Sequence, residues 1–248
     1  MRVFAGGERH HGLAGSDLQR RRLLGARGRH PHLRVDRPGP HPGILVAQHA
    51  GGVDTQILDT VHRLFREGYV AAAPELFHRQ PEKVEGQRGD LMLDKEILAD
   101  LNATIAHLKT LSVKVAPLGI VGFCMGGRMS YLAATAISEI KAAAVFYGGN
   151  IMKAKGDGPS PFERSANIQC PIIAFSGAED ANPSPDDMKK IDAELTRLKK
   201  VHEFHLYLNT AHAFQDFTRE RYRERASRAS WTETLAFFAE HLKRGPPN

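Results

Sequence analysis

The 248-residue sequence has only two cysteines, one tryptophan and no apolar run approaching 18 residues. Each scarcity excludes a class. Cys124 and Cys170 alone cannot staple a small disulfide scaffold. Without a long apolar run, no membrane-crossing helix is expected. No basic stretch leads into an apolar segment and a small-residue cleavage site, so no secretory signal is expected either. A reducing compartment follows, and cytoplasmic localisation is the expectation. Internal repeats and coiled-coil heptads are absent. Excess charge is also scarce outside one segment. The net charge of +6 comes from residues 1–40, which hold nine arginines, no lysine and three acids; residues 41–248 hold 25 bases and 25 acids. The body is neutral, so no nucleic-acid partner is expected.

Residues 1–40 form an atypical Arg/Gly/His-rich segment without sustained period-2 or period-3.6 patterning. It reads first as a flexible basic tail. The alternatives are a poorly patterned strand pair covering a sheet edge, a transit peptide, or sequence from outside the true reading frame. His10, His11, His30 and His32 have no spacing that closes a metal site, and no metal is expected.

Beyond Pro42 the patterning is clear, and 41–248 reads as the folded domain. Short, mostly apolar runs at 43–48, 69–73, 116–121, 142–146 and 171–175 predict strands, and 203–208 reads as a further one. The second is expected to break at Pro74. Between the strands, apolar residues at helical spacing predict helices over 54–67, 93–111, 125–137, 186–199 and 219–243. The arginine cluster from Arg219 to Arg225, with Glu220 and Glu224, is expected to be the solvated, self-pairing start of the last helix. Trp231 and Cys170 are expected in the core. Strand–helix alternation predicts an α/β fold, with a mostly parallel sheet flanked by helices on both faces. In such sheets chemistry gathers at the carboxyl ends of the strands.

Three of those ends carry reactive residue types. After the strand near Val121 comes Gly122-Phe-Cys-Met-Gly-Gly127, the thiol version of a nucleophile elbow. Its glycines permit a sharp strand-to-helix turn, and the turn sets Cys124 at a helix amino end, where a thiolate and a developing oxyanion are favoured. After the next strand Asp180 is a candidate to orient a histidine, with Glu179 as its rival. After the last strand His212 is the candidate general base. Nucleophile, acid and histidine thus follow the chain order of α/β-hydrolases.

With these residues in view the chain resembles the dienelactone hydrolase (carboxymethylenebutenolidase) family, a cysteine branch of the α/β-hydrolase fold. The likeness rests on 48–52, Ala73-Pro-Glu-Leu-Phe-His-Arg-Gln80, 122–127, 177–180 and 211–214, and spans roughly residues 41–243. It implies a Cys124–His212–Asp180 triad, with the backbone N–H groups of Met125 and Ala50 as the oxyanion hole. It also implies that Arg79 grips a substrate carboxylate; a salt bridge to a nearby acid such as Glu75 is the alternative. Two positions depart from the family pattern. His49 stands where a glutamate pairs with the resting cysteine, and Asp216 where a second carboxylate-binding arginine lies. His49 therefore reads as a resting partner of the thiol, a leaving-group contact or a plain pocket-lining side chain. Tyr147 reads as pocket lining or as a packed tyrosine. A carboxylate near Asp216 would be repelled unless Asp216 is turned away.

The expected activity is cleavage of a small-molecule carboxylic ester or lactone through a thioester acyl-enzyme, without a cofactor. A thioesterase or acyl transferase using the same residues is the near alternative, and a non-catalytic binding protein on the hydrolase fold the distant one. The sequence does not choose between monomer and homodimer.

Overall fold

Short apolar strands alternating with amphipathic helices close, in the computed structural model, into one layered α/β unit. The structure describes residues 3–5, 40–82, 88–111 and 114–243. The strands are β1 (Val3–Ala5), β2 (His41–Ala47), β3 (Val70–Pro74), β4 (Val115–Phe123), β5 (Ile140–Phe146), β6 (Ile172–Gly177) and β7 (His202–Tyr207). Their spatial order is β1-β3-β2-β4-β5-β6-β7. β2 to β7 pair in parallel, and β1 adds antiparallel to β3 at the edge. The helices are α1 (Thr55–Arg66), α2 (Asp94–Lys109), α3 (Met125–Ala136), α4 (Pro185–Arg197) and α5 (Glu224–Phe238).

Strand periodicity sorts side chains to two cores. On β2, Ile44 and Val46 face one layer with Ile57, Val61 and Leu64 of α1 and Trp231 and Phe238 of α5. Leu45 and Ala47 face the other, with Ile97 and Leu101 of α2, Met129 and Leu132 of α3 and Ile191 and Leu195 of α4. Each leucine or isoleucine buried there contributes about 1.5–3 kcal/mol. Strands covered on both faces must be apolar throughout, so they read as continuous runs. Caps set the helix starts. Asp54 accepts from the N–H groups of Gln56 (3.0 Å) and Ile57 (3.2 Å), and Ser184 with Asp187 forms a capping box ahead of α4.

Two expected boundaries shift. β3 runs through Pro74, because Pro74 is the last residue of the strand, opposite Val3 of β1, where a missing N–H costs little. The last helix starts at Glu224, not at 219. Residues 216–223 are held as a turn: the Arg219 N–H donates to Asp216 O (3.1 Å) and the Arg223 N–H reaches back to Phe214 O (3.1 Å). Arg219 pairs with Asp216 rather than with the helix. Most of the arginine-rich segment, residues 6–39, lies outside the described residues, as do His10, His11, His30 and His32.

The chain passes from β2 to β3 on one side, then crosses to β4 on the other side of β2. This reversal opens a crevice at the carboxyl ends of β2 and β4, the place where doubly wound sheets bind ligands.

Candidate active site

The turn after β4 is shaped by close approach. A methyl on Gly122 would meet Gly126 O at 2.0 Å, one on Gly126 would meet Ala47 O at 2.2 Å, and one on Gly127 would meet Phe146 O at 2.5 Å. No Cβ tolerates such distances, so the three glycines let α3 begin hard against β2 and β5. Cys124, the residue between them and the N-cap of α3, is driven to φ 56° and ψ −118°, a conformation non-glycine residues rarely adopt. Its N–H donates to Phe146 O (3.0 Å). The thiol is half-buried and free, and belongs to the N-cap residue of α3, the helix end where the dipole favours negative charge.

His212 follows β7 and reaches over the thiol. Its Nδ1 lies 2.8 Å from Asp180 Oδ2. Nδ1 carries a proton toward the carboxylate, and Cys124 is the second side chain that acts on the imidazole. Burial alone would pull the imidazole down. Hydrogen bonds to Asp180 and Cys124, with the negative charge on both, outweigh it and push His212 up to about 9. Asp180 is buried, and its other oxygen accepts from the Asn182 N–H (2.9 Å). Glu179 lines the cleft without touching the imidazole.

Cys124, His212, Ala50 and Arg221 together divide a cleft into lobes of 480 and 1110 Å³. Met125, Arg128, Asn150, Lys155 and Asn182 border the smaller lobe. His49, Arg88, Tyr147 and Asp216 border the larger one. Tyr147 is both wall and packing. It is buried at φ 37°, with its ring 5.0 Å edge-on from His212 and 5.1 Å from Phe214. Burial and the nearby Cys124 sulfur push its phenol well above the ordinary range.

Two expected anchors fall elsewhere. The guanidinium of Arg79 bonds to Asp100 of α2 and borders neither lobe. The salt-bridge alternative is therefore the geometry found, with Asp100 in place of Glu75. His49 faces its own loop rather than the thiol: Nδ1 accepts from the Gly51 N–H (2.8 Å), and Nε2 lies 3.0 Å from Asp54. Asp216 is buried and turned to its own turn, 2.7 Å from Arg219 Nε and accepting from Thr218 N–H and Oγ1, so its charge is neutralised locally. Arg221, read from sequence as part of a helix start, instead borders both lobes. No motif marks it; only the turn at 216–223 brings it there. Among the described residues no three metal-ligating side chains gather, and no helix is long and apolar enough to cross a membrane.

Beneath the smaller lobe, Arg128 of α3 and Asp94 of α2 form a buried bidentate pair, with Nη1 2.5 Å and Nη2 3.0 Å from the two carboxylate oxygens. Arg128 also donates to Asn150 O (3.1 Å) and Lys153 O (2.6 Å), fixing the loop that walls the lobe. Asp94→Ala strands a buried guanidinium, and such losses cost about 3–5 kcal/mol. The expected result is a lower urea midpoint with an unchanged slope, measured by circular dichroism.

A seven-stranded, mostly parallel sheet with a strained cysteine elbow after β4 defines an α/β-hydrolase. The sequence profile of the dienelactone hydrolase family matches residues 32–242. A Synechocystis protein assigned as a carboxymethylenebutenolidase is 35% identical over 218 residues, covering 83% of this chain and 88% of that protein. An Escherichia coli K12 protein so assigned is 28% identical, with coverages of 82% and 78%. Among solved structures, one assigned as a dienelactone hydrolase from Klebsiella pneumoniae superposes with a TM-score of 0.77 at 30% identity, covering 82% of this chain and 89% of that one. The chain belongs to the dienelactone hydrolase family, enzymes that cleave esters and lactones.

Proposed function

We propose that this hydrolase works through Cys124, His212 and Asp180, by way of a thioester acyl-enzyme. The observation that carries the reading is the position of His212, bonded to Asp180 and lining both lobes of the cleft together with Cys124 of the strained elbow. The proton shared by Cys124 and His212 rests on the imidazole, and the sulfur attacks the carbonyl carbon of an ester or lactone. The carbonyl oxygen becomes an oxyanion facing the N–H groups of Met125 and Ala50. Gly126, packed on Ala47 O and Gln48 O, holds the start of α3 against the loop that bears Ala50. Each such donor is worth about 3–4 kcal/mol in the transition state. The tetrahedral intermediate expels the alcohol, which receives the proton from the imidazolium. Water, losing a proton to His212, then attacks the thioester and releases the carboxylic acid; Asp180 keeps the imidazole in one tautomer throughout.

Arg221 at the junction of the lobes, together with Arg88 and Lys155, gives the cleft cations that form no ion pair among the described residues, whereas Arg79 and Arg219 are spent on Asp100 and Asp216. The test of the acyl-enzyme is rapid quenching with p-nitrophenyl acetate followed by peptide mass spectrometry. One acetyl group on the peptide containing Cys124, disappearing as product forms, is expected. Steady turnover with no adduct on that peptide at any quench time rejects the covalent route. Transfer of the acyl group to added thiols or alcohols in preference to water marks the acyl transferase alternative.

A further inference from the structure

The loop between β2 and α1 carries the proposed oxyanion donor Ala50, and it is tied by one side chain. His49 is buried, precedes Ala50 and bends back along the loop. Its Nδ1 accepts from the Gly51 N–H on the far side of Ala50 (2.8 Å). Since Nδ1 accepts, the ring proton sits on Nε2, which faces Asp54 Oδ2 at 3.0 Å. Asp54 is itself fixed, because its other oxygen caps α1. Burial would raise the Asp54 carboxyl, but the adjacent His49 and the bonds from the Ile57 and Gln56 N–H groups outweigh it and hold it below the ordinary carboxylate range. The Gly52 N–H closes the turn on His49 O (3.0 Å). Gln48, the residue before, accepts from the Leu76 N–H (2.9 Å), anchoring the loop to the end of β3. Ala50 is thus held from both sides, by an imidazole that spans it and ends on a helix cap.

We propose that His49 is a positioning residue that holds the Ala50 N–H at the oxyanion, and takes no part in proton transfer. The inference rests on the acyl-transfer reading above, which makes Ala50 a donor. An N–H misplaced by a fraction of an ångström loses much of its effect on a charge that exists only in the transition state. The rate should therefore fall with little change in substrate affinity.

Three variants test this. His49→Leu removes the bond from the Gly51 N–H and the close contact with Asp54, and kcat for an activated ester is expected to fall about 10²-fold, the loss seen when one such donor is removed, with KM nearly unchanged. His49→Asn keeps an oxygen able to accept from the N–H two residues on and is expected to recover most of the lost kcat. Gly51→Ala leaves His49 intact at an exposed position. Its methyl would meet His49 Cε1 at 2.4 Å and Nδ1 at 2.9 Å, so it displaces the ring and should lower kcat like His49→Leu. Alkylation of Cys124 by iodoacetamide, a displacement that makes no oxyanion, should keep its wild-type rate in all three, which also reports an intact fold. Should His49→Leu fail to fold, Gly51→Ala decides. Wild-type kcat in Gly51→Ala, or no recovery in His49→Asn over His49→Leu, overturns the proposal. A faster or slower alkylation in step with kcat assigns His49 to the thiol instead. A wild-type protein that turns over esters with Cys124 already alkylated overturns the acyl-transfer reading itself.

Discussion

Cys124→Ala is expected to lower kcat/KM for p-nitrophenyl acetate by about 10⁴-fold or more, the scale seen when a nucleophile is removed from a triad. The methyl of alanine fits the elbow, because the backbone at φ 56° already carries a Cβ. The fold and the cleft should therefore survive, and the loss reports chemistry alone. Cys124→Ser keeps a nucleophilic atom but substitutes a hydroxyl, a far weaker nucleophile at neutral pH than a thiol beside an imidazole. It is expected to remain within about tenfold of the alanine variant. Initial rates, with thermal melting as the control for folding, check both. Residual activity in Cys124→Ala within tenfold of wild type would remove Cys124 from the reaction.

Asp180→Asn is the second large effect, expected to reduce kcat by about 10³–10⁴-fold, as when the orienting acid of a triad is made neutral. An amide can donate to Nδ1 and so hold the wrong tautomer. It also removes the charge that keeps the imidazolium favoured. The sign of the pH effect follows. His212 is raised from 6.5 to about 9, so the protonated imidazole that gives its proton to the leaving alcohol persists to about that pH and is lost above it. The kcat/KM profile is expected to fall on an alkaline limb near pH 9. Since the bond to Asp180 pushes this value up, Asp180→Asn should move the limb toward lower pH. The same raised value makes the His212 contribution to folding complete below pH 6.5 and lost as pH rises through about 9. An alkaline limb that stays in place in Asp180→Asn would separate the carboxylate from the imidazole.

The layered architecture was legible because its signals are local. Parallel strands buried on both faces must be apolar along their length, as Ile44–Ala47 and Ala142–Phe146 are, and helices packed on them repeat every 3.6 residues. The order of Cys124, Asp180 and His212 was legible for the same reason: each sits one or a few residues past a strand. What resisted reading depends on contacts distant in sequence or on loop direction. Nothing near Arg79 announces that Asp100, 21 residues on, takes its guanidinium. Arg219–Arg225 has the composition of a helix start, but the carboxylate of Asp216 and a backbone bond to Phe214 O make its first half a turn and bring Arg221 to the cleft. The direction of His49 is set by a hydrogen bond to a residue two places on, which leaves no mark on composition or period.

The close contacts at Gly122, Gly126 and Gly127 also divide the chain for laboratory evolution. Library members changed at those codons would be wasted in a search for new specificity, because even one added carbon has nowhere to go there. Diversity placed at Arg88, Glu220 and Arg221 reshapes the mouth of the larger lobe while leaving the scaffold that aims the sulfur untouched.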